Sequence, residues 1–410
     1  MGNTVFEPAR ELPVSDSTEV LVAGGGIAGI AAAMAAARGG RKVTLLEREY
    51  CLGGLATLGL IAIYLPLDDG RGEQVIKGIG EELFRLSIKH VCEGYYPKAW
   101  LEGGTPEEKA KFRFLTQFNP HLFALDVEKL LVELGVNILY GTVAVSVAMD
   151  GDKISAVIVE NKSGRSAIGV KSVIDCTGDA DICHLSGAGT VLHEGGNGIA
   201  SWYYYNTKDG ARLKMFGLAD LPAPSEEDIE AAKGSDQSIG NATVASLTNT
   251  RFSGVDGREL SDAVLEGHSK MFADILENHA KDPSYVPVTI STIPLVRMSR
   301  RIDGAYTLDE SEERKHFDDS IGCTGDWRKS GPAFEIPYRT LYSHKVKNLL
   351  AAGRDISVTD PMWDITRVIP PCAVTGEAAG TAAALTYDFP SLDVAVLQEK
   401  LVSNNAKIHL

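Results

Sequence analysis

Several protein classes are excluded by what the chain lacks. It has 6 cysteines in 410 residues: Cys51, Cys92, Cys176, Cys183, Cys323 and Cys372. No two stand in a C-x-x-C spacing, so zinc motifs and thioredoxin-like dithiols have no support. Scattered thiols fit a reducing compartment, where they act as small buried hydrophobes. The opening "MGNTVFEPARELPVSD" carries charge and proline but no apolar segment, and does not read as a signal peptide. Phe6 stands where a myristoylation signal has Ser or Thr. The longest apolar run, residues 20–40, is too short and too glycine-rich for a membrane span. Basic residues are in deficit. With 40 Lys and Arg against 55 Asp and Glu the formal charge is −15, and no basic stripe offsets it. Such a surface repels phosphate backbones and counts against nucleic acid as a partner. No metal site is expected. The expectation is a cytoplasmic protein, long enough for two or three domains, with a homo-oligomer left open.

What the chain has in quantity is glycine in informative places. Residues 20–40 read "VLVAGGGIAGIAAAMAAARGG". A buried strand is expected over 19–23, a helix over 27–38 stopped by Gly39 and Gly40, and a second parallel strand over 42–47, which together make one βαβ unit. Gly24, Gly26 and Gly29 form G-x-G-x-x-G between strand and helix. Their expected jobs are a tight turn, room for a diphosphate, and close helix–strand packing, in that order. The helix N-terminus offers unpaired N–H groups to an anion. Glu47 closes the second strand 23 residues after Gly24, placed to accept ribose hydroxyls and to disfavour a 2′-phosphate. This unit fits NAD, FAD, or tight packing with no ligand.

Further along, 72–91 and 125–135 have helical spacing around a polar, aromatic stretch at 92–120. Three strand-like runs, 138–148, 153–160 and 166–175, are joined by Asp150-Gly151 and "NKSG" as a β-meander. Residues 191–340 are richer in Tyr, Trp, Ser, Thr and charge, with a solvated stretch at 222–238. Regular α/β grammar returns at 347–386. The expected fold is α/β: a discontinuous nucleotide domain, 17–190 plus 341–390, whose parallel sheet has a β-meander crossover. An α+β substrate or cap domain is inserted at 191–340, to which 61–120 can contribute.

Three distant features bear on the choice of nucleotide. Gly53-Gly54 allows backbone close to a diphosphate, and Ala56-Thr57 could line an isoalloxazine, where a plain NAD enzyme has no need of this pair. Thr177-Gly178, in "DCTGDAD", permits a close backbone approach at a strand end. Gly353-Arg354-Asp355 ends another strand, with Asp355 placed for ribityl hydroxyls, and a helix beginning near Pro371 would aim its positive end at the crevice. Each alone can be an ordinary turn.

In this order, "GGGIAGIAAAMAAAR", "LLER", "GGLATLG", "DCTGDAD", "RMSRRIDGAYTL", "AGR", "RVIPPC" and "GEAAGTAAAL" span nearly the whole chain. They resemble the FAD-dependent oxidoreductase family, of the glutathione-reductase-type Rossmann class. The resemblance implies non-covalent FAD in a Rossmann-like domain, with Ile27, Ala28, Arg48, Val143, Val368, Pro370 and Ala373 joining the residues above around the cofactor. Only Cys51 follows the second strand, so a C-x4-C disulfide reductase is excluded. The one candidate for a second nucleotide motif, "EGGNGIASW" (194–202), follows no clear strand, so the electron donor or acceptor is expected to be external. His184 and His193 read as core or surface histidines rather than flavin attachment points. Arg297, Arg300 and Arg301 are candidates for clamping a substrate anion, although alternate strand positions cannot all face one pocket. Arg367, just before the flavin-facing helix, is the stronger candidate. Trp202 and Tyr203–Tyr205 read as a half-buried strand. The expected function is oxidation or reduction of a small, anionic metabolite by hydride transfer at flavin N5. The alternatives are an FAD protein with a structural or RNA-modification role, and an NAD-bound enzyme resembling thiazole synthase.

Overall fold

A computed structural model describes residues 4–217, 247–248 and 250–410. The solvated stretch at 222–238 lies outside the described residues. Strand β1 (Val14–Ala23) runs into α1 (Ile27–Arg38) and β2 (Val43–Leu46). Only the last four residues of β1 are buried on both faces, where the strand is central to a parallel sheet. Helix α1 carries almost no polar side chain and is buried nearly all round. The short β3 (Ile63–Tyr64), then α2 (Gly78–Ser87), α3 (Lys98–Leu101), α4 (Pro106–Lys111), β4 (Thr116–Gln117) and α5 (Pro120–Glu133) follow. Asn119 caps α5 and Pro120 occupies its first turn, so the helix starts earlier than the apolar spacing suggests.

The expected 138–148 strand is two strands. β5 (Asn137–Leu139) pairs with β2 in parallel, and β6 (Val143–Asp150) pairs with β7 (Lys153–Asn161) in antiparallel fashion. Gly141, at φ +57°, turns the chain between them, and the Thr142 N–H donates to the Glu47 carbonyl at 3.1 Å. β8 (Gly164–Asp175) completes the meander and pairs with β1 along its length. After α6 (Asp181–Leu185) come β9 (Thr190–Leu192), β10 (Tyr203–Thr207), β11 (Gly210–Lys214), α7 (Gly257–Lys281) and β12 (Val286–Ile290). β10 is the centre of a three-stranded sheet, flanked by β11 and β12. The chain then returns through β13 (Arg300–Ile302), the hairpin β14 (Ser320–Gly325) and β15 (Ala333–Pro337), β16 (Leu349–Ala351), α8 (Asp360–Thr366), α9 (Ile369–Leu385) and α10 (Val394–Ser403).

β16 adds to the far side of β8, so the main sheet runs β5-β2-β1-β8 with β16 and β7-β6 both beyond β8. Ala23 is in register with Leu46 and with Asp175, and Asp175 with Ala351. Four parallel strands therefore end in one row, where ligands bind in open α/β sheets. Helices α1 and α9 pack on one face at backbone distance. A Cβ on Gly376 would stand 2.2 Å from the Ala28 carbonyl oxygen, and one on Gly380 2.2 Å from that of Ala32. The core around these helices also takes in Tyr64, Phe84 and Phe114 from 61–120, and Leu308, Phe334 and Tyr338 from 303–341. Leu60 and Ile63 pack instead with Trp202, Tyr204 and Leu295 beside the three-stranded sheet.

Candidate functional site

The site is built from the loops that leave this row of strand ends. After β1, the three motif glycines have different surroundings. A Cβ on Gly24 (φ +101°) would lie 2.4 Å from the Cys176 carbonyl oxygen, and one on Gly29 1.8 Å from that of Gly24. Protein packing alone demands glycine at both. At Gly26 an added Cβ would meet no described atom within 4 Å, and the backbone is ordinary extended chain at φ −70°. Gly26 is also the N-cap of α1 and has no side chain to satisfy the first amides. Packing gives no reason for glycine here, whereas a diphosphate crossing the helix N-terminus does. Ile27 and Ala28 are buried behind it.

Glu47 is 7% exposed, and its Oε2 and Oε1 accept the N–H groups of Gly25 and Glu49, each at 2.8 Å. Burial pushes the carboxyl up, against these two amides. The amides fix its orientation and leave lone pairs for further donors such as ribose hydroxyls. Arg48 is exposed, in loose contact with Glu49 at 3.8 Å, and Val143 is exposed one residue beyond the Thr142–Glu47 contact.

The 53–57 loop lies directly on the first glycine loop. Gly53 forms a parallel bridge with Gly26 and donates to the Gly25 carbonyl at 2.8 Å. Gly53 and Gly54 have φ of +103° and +54°, conformations that favour glycine. Ala56 and Thr57 are buried, and the Thr57 hydroxyl donates to the Leu52 carbonyl at 2.6 Å, so it braces this loop.

At the end of β8, Thr177 Cα lies 3.1 Å from the Cβ position of Gly24. The Thr177 hydroxyl donates to Asp175 at 2.7 Å, and Gly178, at φ +81°, leaves its Cβ position to the Arg354 guanidinium, 2.5 Å away. Asp355 reaches across to this same turn. It is fully buried, and its two oxygens accept the N–H groups of Gly178 and Ala180 at 3.0 and 3.1 Å. Burial, then the charges of Asp175 and Asp179, push its carboxyl up. Its carboxylate ties two loops together, and each oxygen keeps a lone pair for a further donor, as in Glu47. Arg354 is similarly engaged, donating to the Val296 carbonyl and pairing with Asp179 at 3.4 Å.

Gly353 (φ +76°) ends the last strand of the row. Its Cβ position is 2.7 Å from Ala28 Cβ and 3.6 Å from Cys372 Sγ, and its N–H donates to Thr375. Strand end and both helix N-termini thus meet at one point. Helix α9 has Val368 as N-cap with no side-chain cap, and Pro370 and Pro371 in its first turn supply no N–H. Its positive end acts mainly through the dipole. Pro370 and Ala373 are buried.

The arginines separate. Arg300 donates to Asp181 at 2.6 Å and to the Asp179 carbonyl at 2.9 Å, which makes it a strut for the carboxylate-rich 175–181 turn. Burial beside Asp175 and Asp179 pushes Asp181 up to about 6, and Arg300 opposes this. Its guanidinium is engaged by this turn. Arg297 is 9% exposed, on a backbone held by the Asn197 side chain, which accepts the N–H groups of Arg297 and Met298. Arg301 is buried and donates to Ser357 and the Ile302 carbonyl. Arg367 is next to the α9 N-cap, with a mostly buried side chain paired with Asp364, which also accepts from Arg328 at 3.1 Å.

Other expectations resolve simply. His184 is exposed, and His193 pairs with Asp360 at 2.9 Å against the Trp363 edge. Tyr203 and Tyr204 are buried on β10, their hydroxyls bonded to Tyr285 and Glu93. "EGGNGIASW" follows the short β9 but leads into no helix, and its Asn197 bridges to Phe252. The sequence reading missed Asn197, Asp364 and Glu377. Glu377 sits within "GEAAG" but accepts the Ile79 N–H at 2.8 Å at the start of α2, a contact across 298 residues that no local spacing signals. Among the described residues no helix is long and apolar enough to cross a membrane.

Among solved structures the chain is similar to a geranylgeranyl bacteriochlorophyll reductase-like protein from Thermoplasma acidophilum, at 16% identity over 96% of this chain and 84% of that one, TM-score 0.44. It is also similar to p-nitrophenol 4-monooxygenase from Pseudomonas putida, at 12% identity over 95% and 84%, TM-score 0.44. No curated protein matches it. The family model described as FAD dependent oxidoreductase matches residues 19–401, nearly the whole chain, and the protein belongs to that family: it is an FAD-dependent oxidoreductase.

Proposed function

We propose that the protein oxidises or reduces a small anionic metabolite and holds FAD non-covalently across the row of strand ends. When bound, FAD supplies a two-electron carrier that takes or gives hydride at N5. In this reading Gly26 and the first amides of α1 receive the diphosphate, and Glu47 accepts the ribose hydroxyls with the lone pairs its two amides leave. Gly53 and Gly54 close the cradle, and Ala56, Thr57, Thr177 and Gly178 border the flavin half. Arg367 binds the substrate anion, oriented by Asp364, and Arg297 is a second candidate for it. The 191–340 segment supplies the substrate side, and an external donor or acceptor completes turnover.

The observation that supports an anionic substrate is the position of Arg367, paired with Asp364, at the positive end of α9. Arg367 immediately precedes an N-cap that no side chain satisfies, next to Gly353 and the α1 N-terminus. An anion there is favoured by both the guanidinium and the dipole.

Anaerobic reduction of the purified flavoprotein tests this reading, using matched pairs of small carboxylates and their neutral esters or amides. Carboxylates should bleach the flavin absorbance faster than their neutral partners. Equal rates across the pairs would remove the anion from the proposal.

A further inference from the structure

A second cluster lies away from the strand ends, on the hairpin β14–β15. Glu335, on β15, has a side chain 4% exposed. His316, in the approach to β14, places Nδ1 3.5 Å from Glu335 Oε1, and His409 places Nδ1 3.0 Å from Glu335 Oε2. The imidazole centroids are 4.6 Å apart. One ligand atom from each of the three residues falls within 4.8 Å of the others.

We propose that His316, Glu335 and His409 form a binding site for one divalent transition cation of the zinc class. Two imidazole nitrogens and one carboxylate are a donor set for zinc rather than for the oxygen-seeking magnesium or calcium. Metal–ligand bonds of about 2.1 Å at tetrahedral angles put ligand atoms about 3.4 Å apart; the two imidazole nitrogens stand 3.0 and 3.5 Å from opposite oxygens of Glu335, and the three-atom set lies within 4.8 Å.

The carboxylate is also preset. The Phe317 N–H donates to Glu335 Oε2 at 2.8 Å and the Leu410 N–H to Oε1 at 3.2 Å. These amides hold the carboxylate plane and leave one lone pair on each oxygen toward an imidazole. The exposed His316 ring can turn to close the remaining distance, and a solvent ligand fills the fourth position.

The three donors come from separate stretches of chain, so a bound cation ties the 404–410 segment to the hairpin. That segment is already docked by Ser320, whose hydroxyl donates to the Ile408 carbonyl, and by a Lys407–Glu73 pair. Metal binding is therefore linked to stability. The site shares no residue with the flavin cradle.

The test uses the full-length, FAD-loaded protein after dialysis against a chelator. Zn2+ is titrated by calorimetry and by thermal unfolding, into wild type and into H316A and H409A. The expected result is one site in wild type, weakened at least about tenfold in each variant. Zn2+ should raise the unfolding midpoint of wild type but of neither variant, and Mg2+ should not raise it. His316 is exposed, so H316A keeps the fold even if H409A loosens the 404–410 segment. Absence of Zn2+ binding in wild type, or equal binding in wild type and H316A, overturns the proposal.

Discussion

Gly26 and Gly54 approach each other across the mouth of the candidate cradle. A Cβ on Gly54 would stand 3.3 Å from the Gly26 Cα, and the bridge between Gly26 and Gly53 locks the two loops together. Residues almost thirty positions apart thus present bare backbone to one space. The pairing explains why a second glycine doublet follows β2, and it couples the occupancy of one loop to the other.

Alanine at Gly26 and at Gly29 should therefore have opposite signatures. Gly26→Ala meets no described atom, so the apoprotein should keep its stability within about 0.5 kcal/mol. FAD affinity should fall at least about tenfold, because the methyl group takes ligand space. Gly29→Ala places a Cβ 1.8 Å from the Gly24 carbonyl, and should cost about 2 kcal/mol or more in stability. Denaturant unfolding of the apoproteins and flavin-release titrations check both. A Gly26→Ala protein that retains FAD normally would take Gly26 out of the cradle.

Arg300 and Arg367 should also part. Arg300→Ala leaves the carboxylates of 175–181 without their strut and should lower stability by about 1–2 kcal/mol, with flavin reduction per bound FAD nearly unchanged. Arg367→Ala should retain FAD and slow reduction by an anionic substrate at least about tenfold. Stopped-flow reduction of the two variants, corrected for flavin content, separates these outcomes. A slowed Arg300→Ala would return that residue to the reacting centre.

Glu377 makes stability depend on pH. Burial pushes its carboxyl from an ordinary 4.5 up to about 7. A raised acid favours the protonated form in the fold, so its contribution is complete below about pH 4.5 and is lost as pH rises to about 7. Glu377→Gln still accepts the Ile79 N–H and cannot ionise. It should match wild type near pH 4 and exceed it by about 1–3 kcal/mol at pH 8. Parallel wild-type and variant stability curves across this range would show that Glu377 does not titrate as placed.

The contact between α1 and α9 depends on small residues. Gly376→Ala would put a Cβ 2.2 Å from the Ala28 carbonyl, forcing apart the two helices whose N-termini meet at Gly353. A loss of about 2–4 kcal/mol is expected, together with weaker FAD binding, readable as a lower unfolding midpoint and a paler protein. Gly40→Ala is a useful control, since its φ of +83° carries strain but no neighbour lies within 4 Å.

The βαβ unit, the helix over 27–38, the meander and the return of α/β grammar near 347 are all local. Strand alternation, glycine stops and an alanine-rich helix are carried by neighbouring residues, so they read directly from the chain. The break at Gly141 was less legible, because β-propensity runs through it and the turn is held by the Thr142–Glu47 contact. Asp355 shows the limit more sharply. Its place after a glycine at a strand end is legible, but the two amides that orient it come from residues 178 and 180, far along the chain.

The sequence by itself carried the glycine loops as short contiguous strings, and their order along the chain gave the family resemblance that implied FAD, which the family match bears out. The tertiary structure decided which partner each charged side chain meets. Arg300, Arg354 and Arg367 look alike along the chain, but Arg300 and Arg354 meet carboxylates far away in sequence, whereas Arg367 meets one a single helical turn before it. Asp181 engages Arg300, Asp179 engages Arg354 and Asp364 engages Arg367. A guanidinium's role depends on which carboxylate or carbonyl reaches it first, and that is a property of packing across the fold.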